Sequence, residues 1–391
     1  MTRYALLLLL VFISCQTKEG NPLLVTATRD DFRENPALLE RILETPHGYF
    51  RYINIPFSQY ICETFTPMIE QSPLLNLHGD AHLEQYAVTD LGRGLTDFDD
   101  SSTGPGIVDI MRFTVSLRLA CEQLGWQDQA DSLVNTFLNA YLEALQDTSL
   151  NPAEPEVAQR IRSEFSHDRG KYFGWIRSVM QPMTAGEKDS LIIAMRSYVR
   201  TQLLEKPDTD SRYYHIVSTG RLQMGIGSAL DMKYLVRIDG PSPDSLDDVV
   251  LECKQVRNLE GIDCIKTGQP QDPFRILLGQ ARIAYQPFHN LGYFRFRGHN
   301  FWVHSWVDNY KEMSIADSYQ TPDELRQVVY DIGVQLGKGH VKQISTPFDL
   351  QVRLEEIHMV EQFRPQIIAQ GSQMTWYVID AWQHFRDMFA D

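Results

Sequence analysis

The sequence predicts an α+β fold in which a helical lobe, built from two separated stretches of chain, holds a small antiparallel sheet lobe inserted between them. Three observations predict it. From Ile107 to about Leu204 the apolar residues recur at helical spacing: Ile107, Val108, Ile110, Met111, Leu117 and Leu124, then Leu133 to Leu145, then Ile192 to Leu204. From Tyr213 to Val307 the pattern changes to short strand-like runs divided by turn residues. Helical spacing then returns at Glu324–Lys342 and from Met359 to the end. At roughly 150 residues per domain, 391 residues make two or three structural units. A 43% hydrophobic fraction excludes disorder for most of the chain, and 24 Gly and 19 Pro without a fixed period exclude collagen-like and solenoid architectures.

Taken in order, residues 1–14 read as a secretory signal. Arg3 provides the positive start, and Ala5 to Ile13 is a nine-residue apolar run. A helical membrane span needs ~20 apolar residues, so this run is too short to cross. Ser14-Cys15, followed by the polar stretch Gln16 to Gly20, is similar to a bacterial lipoprotein signal, with Phe12 where Leu is usual. That resemblance implies cleavage before Cys15 and lipid on its thiol. It implies an extracytoplasmic protein anchored to the cell envelope (periplasm or outer membrane) through that lipid alone. Residues 15–29 would be the linker.

The helical lobe is expected over 30–205, beginning with a helix from Asp30 to Glu44 that aligns Leu38, Leu39, Ile42 and Leu43. Within it, Leu74 to Phe98 breaks into short strands and loops. The sheet lobe, 206–310, has candidate strands Tyr213–Ser218, Asp231–Ile238, Val249–Val256, Tyr293–Arg297 and Phe301–Val307, with turns at Asp239–Pro243 and Arg297–Asn300. Residues 311–391 supply the closing helices. Cys62, Cys121, Cys253 and Cys264 show no metal-binding spacing. Export permits disulfides, with Cys253 and Cys264 nearest in sequence; buried thiols are the alternative. Thirty-six basic against 51 acidic residues give a net charge of −15, which repels a phosphate backbone and excludes nucleic acid as partner.

The chemistry concentrates between His78 and Asp109. His78-Gly79-Asp80-Ala81-His82 packs three ligand-capable side chains into five residues directly after Leu74–Leu77. Asp97-Phe98-Asp99-Asp100 follows a second strand-like stretch. Carboxylates at strand ends suit a hard cation such as Mg²⁺, although each Asp alone fits a turn or helix cap equally well. Asp109 falls in the first turn of the next helix, where capping is its ordinary role. Far downstream, Ser218 to Ser228 is a Gly-rich turn between strands, a form that cradles phosphate or simply closes a hairpin. Lys254 interrupts the apolar strand Val249–Val256; on an interior face it needs an anion, on an edge only water. Trp302 and Trp306 are expected to pack on the faces of their strand, His340 inside its helix, and Asp308 with Lys311 in a loop.

The order of these pieces resembles the catalytic core of aminoglycoside-phosphotransferase and choline-kinase-like enzymes. It resembles more closely the bacterial family called domain of unknown function 2252, itself kinase-like. The matching segments are Phe50-Arg51, His78 to Gln85, Asp97-Phe98-Asp99, Gly104-Pro105 with Asp109, Gly225-Ile226-Gly227-Ser228, Glu252-Cys253-Lys254-Gln255, Val303 to Lys311 and Gly333 to His340. Because the catalytic loop precedes the Gly-rich loop and lysine, the resemblance implies a circularly permuted, two-lobed protein-kinase-like fold. It implies Asp80 as the base for an acceptor hydroxyl on a small molecule or protein, with His82 beside it. Asp97 would hold Mg²⁺ or Mn²⁺, helped by Gln85 and Asp99. Gly220, Gly225, Gly227, Ser228 and Lys254 would hold an ATP-like nucleotide. Gln85 stands where the pattern has Asn, Gln255 where it has Glu, and His304-Ser305 where it has Arg-Gln. The expected function is a metal-dependent phosphotransferase. The alternatives are a catalytically degenerate binding or scaffolding lipoprotein, prompted by those departures and the export signal, and a metallophosphoesterase, prompted by Asp80-x-His82.

Overall fold

The computed structural model describes residues 20–33, 35–222, 231–344 and 349–390. Cys15 and the expected signal segment lie outside them, as do Gly225, Gly227 and Ser228. The chain is 54% helical with antiparallel sheets, an α+β fold. The helix expected over 30–44 is divided into a 3-10 turn at Arg29–Phe32 and α1 (Pro36–Glu44). Proline fits the first helical position but disfavours helix in the residue before it, so α1 starts where Pro36 permits. Three helices not expected from the sequence follow: α2 (Pro46–Tyr52), α3 (Asn54–Thr64) and α4 (Thr66–Ile69).

Four short strands then frame the first chemical cluster. β1 (Leu75–Leu77) pairs with β4 (Ser102–Gly104), and β2 (Tyr86–Thr89) with β3 (Arg93–Leu95). The helical stretch resolves into α5 (Ile107–Leu124), α6 (Ala130–Gln146), α7 (Glu156–Ser163), α8 (Arg169–Val179) and α9 (Ala185–Glu205). Next come β5 (Ile216–Arg221), β6 (Lys233–Ile238), β7 (Val249–Gln255), α10 (Pro273–Arg282), β8 (Gly292–Phe296) and β9 (His299–Ser305). These five strands form one antiparallel sheet ordered β5-β6-β7-β9-β8. β10 (Tyr310–Glu312) leaves it to pair with β2, and α11 (Pro322–Val341) and α12 (Asp349–Asp387) close the chain. The sequence reading passed over α10, although Asp272 caps it by accepting the Phe274 N–H and Pro273 opens it.

The helical lobe is stitched from both ends of the chain. α11 lies so close on α6 that a Cβ on Gly333 would stand 2.7 Å from the Phe137 carbonyl oxygen, and one on Gly337 2.6 Å from that of Tyr141. Two glycines a turn apart let the backbones touch. The sheet lobe has a separate core, in which Leu191, Met195 and Tyr198 of α9 meet Tyr234, Val236, Leu251, Cys253 and Val303. Alternation along β7 and β9 therefore sends Cys253 and Val303 toward α9, leaving Lys254 and Trp302 on the opposite face.

Cys253 and Cys121 are buried free thiols, whereas Cys62 of α3 is disulfide-bonded to Cys264 in the β7–α10 connection. Proximity in sequence pointed to Cys253, but its strand face commits that residue to the apolar core. The bridge joins positions 202 residues apart, and the same connection is held by Gln59 to Asp263 at 2.8 and 2.9 Å. Cys62→Ser is expected to lower unfolding free energy by about 2–4 kcal/mol in urea titration. No loss would show that the connection is held without the bridge.

Candidate functional site

The two lobes meet at a cleft of about 550 Å³ whose lining includes Asp80, Gln85, Asp97, Asp99, Lys233, Glu252, Lys254 and Trp302. Its floor is the loop after β1. Asp109, at the start of α5, does not cap its own helix. Fully buried, it accepts the backbone N–H of His78 at 2.6 Å and of Gly79 at 2.8 Å, and the Nε2 of His340 at 3.0 Å. Burial opposes its charge, yet the His340 hydrogen bond and the loop N–H groups carry its carboxyl below the usual range. His340 continues to the Tyr141 hydroxyl at 2.8 Å, which donates to Glu356 at 3.0 Å. The loop is thus pinned to the deepest part of the helical lobe. The His78 Nε2 donates to the Thr96 carbonyl at 2.9 Å and its Nδ1 accepts the Asp80 N–H at 3.3 Å, tying this loop to the one bearing Asp97.

Asp80 is buried and takes both Nε (2.9 Å) and Nη2 (2.6 Å) of Arg112 on one oxygen. Arg112 in turn lies over the Phe50 ring at 3.8 Å. Burial raises the Asp80 carboxyl above its usual range despite Arg112, with Asp100 adding to the rise. His82 does not line the cleft. It is wholly buried behind Asp80, 3.7 Å away, and both ring nitrogens lack hydrogen-bond partners; burial and the Arg51 charge keep it neutral. It sits behind Asp80 rather than against the cavity.

Asp97 has a left-handed backbone (φ 57°), which turns its carboxylate toward the sheet lobe. There Lys254 places its ammonium 2.6 Å from Asp97 and 2.5 Å from Asp99. Burial works against Asp97's charge, but Lys254 prevails and holds it well below the usual range. Asp99, deeper and beside Asp97, is pushed up to about 7 by burial and that neighbouring charge, against the pull of Lys254. Its other oxygen accepts the Trp302 indole N–H at 2.7 Å, so both Asp99 oxygens are engaged, one by Lys254 and one by Trp302. Asp100 is held by Arg257 at 3.0 Å and Asn54 at 3.0 Å.

Lys254 lies on the third strand of five, not at an edge. Directly across the ladder is Lys233, also in the cleft, whose ammonium is disfavoured by burial and by Lys254. Glu252, one pleat away on the same face, bonds His304 at 3.0 Å; burial notwithstanding, Lys254 and His304 bring its carboxyl down to about 2. Trp302 and Trp306 both line the cleft, and Trp302 stacks on His304 at 4.5 Å. Asp308 pairs with Arg169, not Lys311. Gly220 stays outside the cleft: a Cβ there would stand 2.7 Å from the Met180 Cβ, so its glycine serves the close pass of that segment. Sequence reasoning missed Arg112 and Lys233. The signals were the three-residue spacing of Arg112 from Asp109 on one helix face and a second lysine in an apolar strand.

Gln85 is 2% exposed, lines the cleft, and leaves its Oε1 without a hydrogen-bond partner. Its carbonyl accepts the Thr96 N–H at 2.9 Å, which sets it one residue from Asp97 across the ladder. Among the described residues no three His, Cys, Asp or Glu side chains come together as a metal-holding group.

The Asp97–Asp99 pair gives a pH signature. In metal-free buffer the folded protein holds a proton on Asp99 up to about pH 7, while the unfolded chain releases it near pH 4. The folded state binds more protons between those values, so stability falls as pH rises through that window. Asp97, with its lowered carboxyl, acts only below it. Asp99→Asn is expected to flatten the fall between pH 5 and 7; an unchanged slope would assign the proton elsewhere.

Fold and site together define a two-lobed α+β protein with a carboxylate–lysine cleft between its lobes. The chain belongs to the family described as an uncharacterized protein conserved in bacteria, DUF2252, whose model matches residues 33–171 and 176–388. No curated protein and no solved structure matches it.

Proposed function

We propose that the cleft is the active site of a kinase-like phosphotransferase, and the observation that carries this reading is the convergence of Asp80, Asp97 and Lys254 on one cavity. The strand order β5-β6-β7-β9-β8, with Lys254 on the third strand and α10 after it, supports a circularly permuted protein-kinase-like arrangement. Asp80 would take the proton of the acceptor hydroxyl while that oxygen bonds to the terminal phosphorus. The phosphorus–oxygen bond to the donor breaks, and its electrons leave with the donor's remaining phosphate. Lys254 and Lys233 would steady the donor phosphates. Mg²⁺ or Mn²⁺ would be held by Asp97 and the Gln85 Oε1, an oxygen pair that fits a hard cation, and when bound it neutralises charge on the phosphoryl group. Asp99 is the weaker ligand candidate, since Lys254 and Trp302 occupy its oxygens.

The binding-module alternative draws on one observation: Lys254 is engaged by two carboxylates, and α10 holds no acidic residue to relieve them. The metallophosphoesterase reading has no such support, because His82 is buried outside the cleft. An extracytoplasmic location is proposed with the lipid anchor, and the Cys62–Cys264 bridge supports it, as disulfides persist in oxidising compartments.

The deciding experiment is a thermal-shift screen of residues 16–391 with several nucleotides, with and without Mg²⁺ and Mn²⁺. Metal-dependent stabilisation is expected, lost in Asp97→Asn. Asp80→Asn should keep the shift and lose phosphoryl transfer at least about 100-fold. No shift with any metal–nucleotide pair removes the proposal, and a shift without transfer that survives Asp80→Ala establishes the binding module.

A further inference from the structure

α9 packs on the sheet face opposite the cleft. The inner side of this helix is committed to the sheet-lobe core through Leu191, Met195 and Tyr198. Two large apolar residues stay exposed on its outer side: Ile193 at 58% and Leu204 at 73%. Its other outward positions are polar, among them Lys188, Asp189, Ser197, Thr201 and Glu205, so the exposed apolar surface is confined to a strip. Between α9 and Tyr214–Ile216 runs an open groove of about 620 Å³, lined by Ile192, Val199, Leu203 and Leu204. Arg196 and Arg200 stand exposed along it with no acid or carbonyl partner among the described residues, in a chain whose acids outnumber its bases by 15.

We infer that this groove docks a polypeptide segment of another protein, one that presents large apolar side chains flanked by carboxylates. The two arginines call for negative charge on the occupant. A second copy placed by two-fold symmetry would bring the arginine rows toward each other, which disfavours a homodimer here. The groove is lined mostly by apolar side chains. It is open along its length, so it cannot enclose most of a small ligand's surface as such sites do. An amphipathic helix or extended segment fills such a groove with a few anchoring side chains.

The probe is a phage-displayed library of 15-residue peptides, selected on the purified chain and counter-selected on Arg196→Glu/Arg200→Glu. Enriched peptides are expected to pair two or more large apolar residues with Asp or Glu. A labelled synthetic copy should lose at least tenfold in affinity, by fluorescence anisotropy, on Leu204→Ser and on the double arginine variant. Both variants change exposed positions, and an unchanged urea midpoint verifies their fold. The same peptide should bind Asp97→Asn as well as the original chain, so the result is independent of the cleft's role. Enrichment of basic peptides, no enrichment over the counter-selected variant, retention on phosphatidylglycerol vesicles, or a dimer dispersed by Leu204→Ser would each overturn the inference.

Discussion

Replacing Gly79 by alanine is expected to cost about 4 kcal/mol or more of folding stability, enough to leave little native protein at 37 °C. Gly79 has φ +82°, and a Cβ built on it would lie 1.9 Å from the Asp100 carbonyl oxygen. Nothing nearby is free to yield. The Gly79 N–H is fixed by Asp109 at 2.8 Å, its carbonyl accepts the Asn54 amide at 3.1 Å, and Asp100 is clamped by Arg257. Relief requires breaking one of these buried bonds, each of which leaves an uncompensated polar group. Gly125→Ala is the matched control. Its φ is +71°, but nothing lies within 4 Å of the added carbon, so only the left-handed backbone penalty of about 1 kcal/mol applies. Urea unfolding of both variants measures the difference. Equal losses would show that the Asp80 loop moves easily, contrary to its anchoring.

Lys254→Met should be nearly as severe, and its severity should depend on pH. The ammonium is the cation that bridges Asp97 and Asp99, and removing it leaves two carboxylates side by side in a buried site. Breaking such an ion pair typically costs about 3–5 kcal/mol. The remaining pair can discharge by holding a proton, as Asp99 already tends to do. A carboxyl raised in the folded state favours folding at low pH and loses that advantage as pH rises. In metal-free buffer the loss should therefore be larger at pH 8 than at pH 5. A cost independent of pH would mean that Lys254 is not the counter-ion of this pair. Lys254→Arg, which keeps the charge but not the compact geometry, should recover part of the stability.

The coarse fold was legible because periodicity survives in the primary sequence. Helical spacing over 107–204 and again after 324, with strands between, marked the order of helices and strands, although α9 packs in the core of the sheet lobe rather than with the other helices. The chemical cluster was legible for a different reason. Asp80, Asp97 and Lys254 are polar residues at the ends or interiors of apolar runs, where a charge is costly without a purpose. The short helices between 46 and 69 were missed, since a few turns give too little repetition to read, and α10 was missed despite its Asp-Pro start.

Composition and spacing alone determined the mixed architecture, the acidic character of the chain, and several of the residues that carry the charge of the cleft. Only the tertiary structure decided who their partners are. Arg112 on Asp80, Asp99 on Lys254, Cys62 with Cys264, and the turning of His82 away from the cleft all depend on how distant stretches of the chain fold back upon one another. Local chain chemistry sets periodicity within a dozen residues. Pairings across 30 to 200 residues are chosen by packing, and packing is a property of the whole chain.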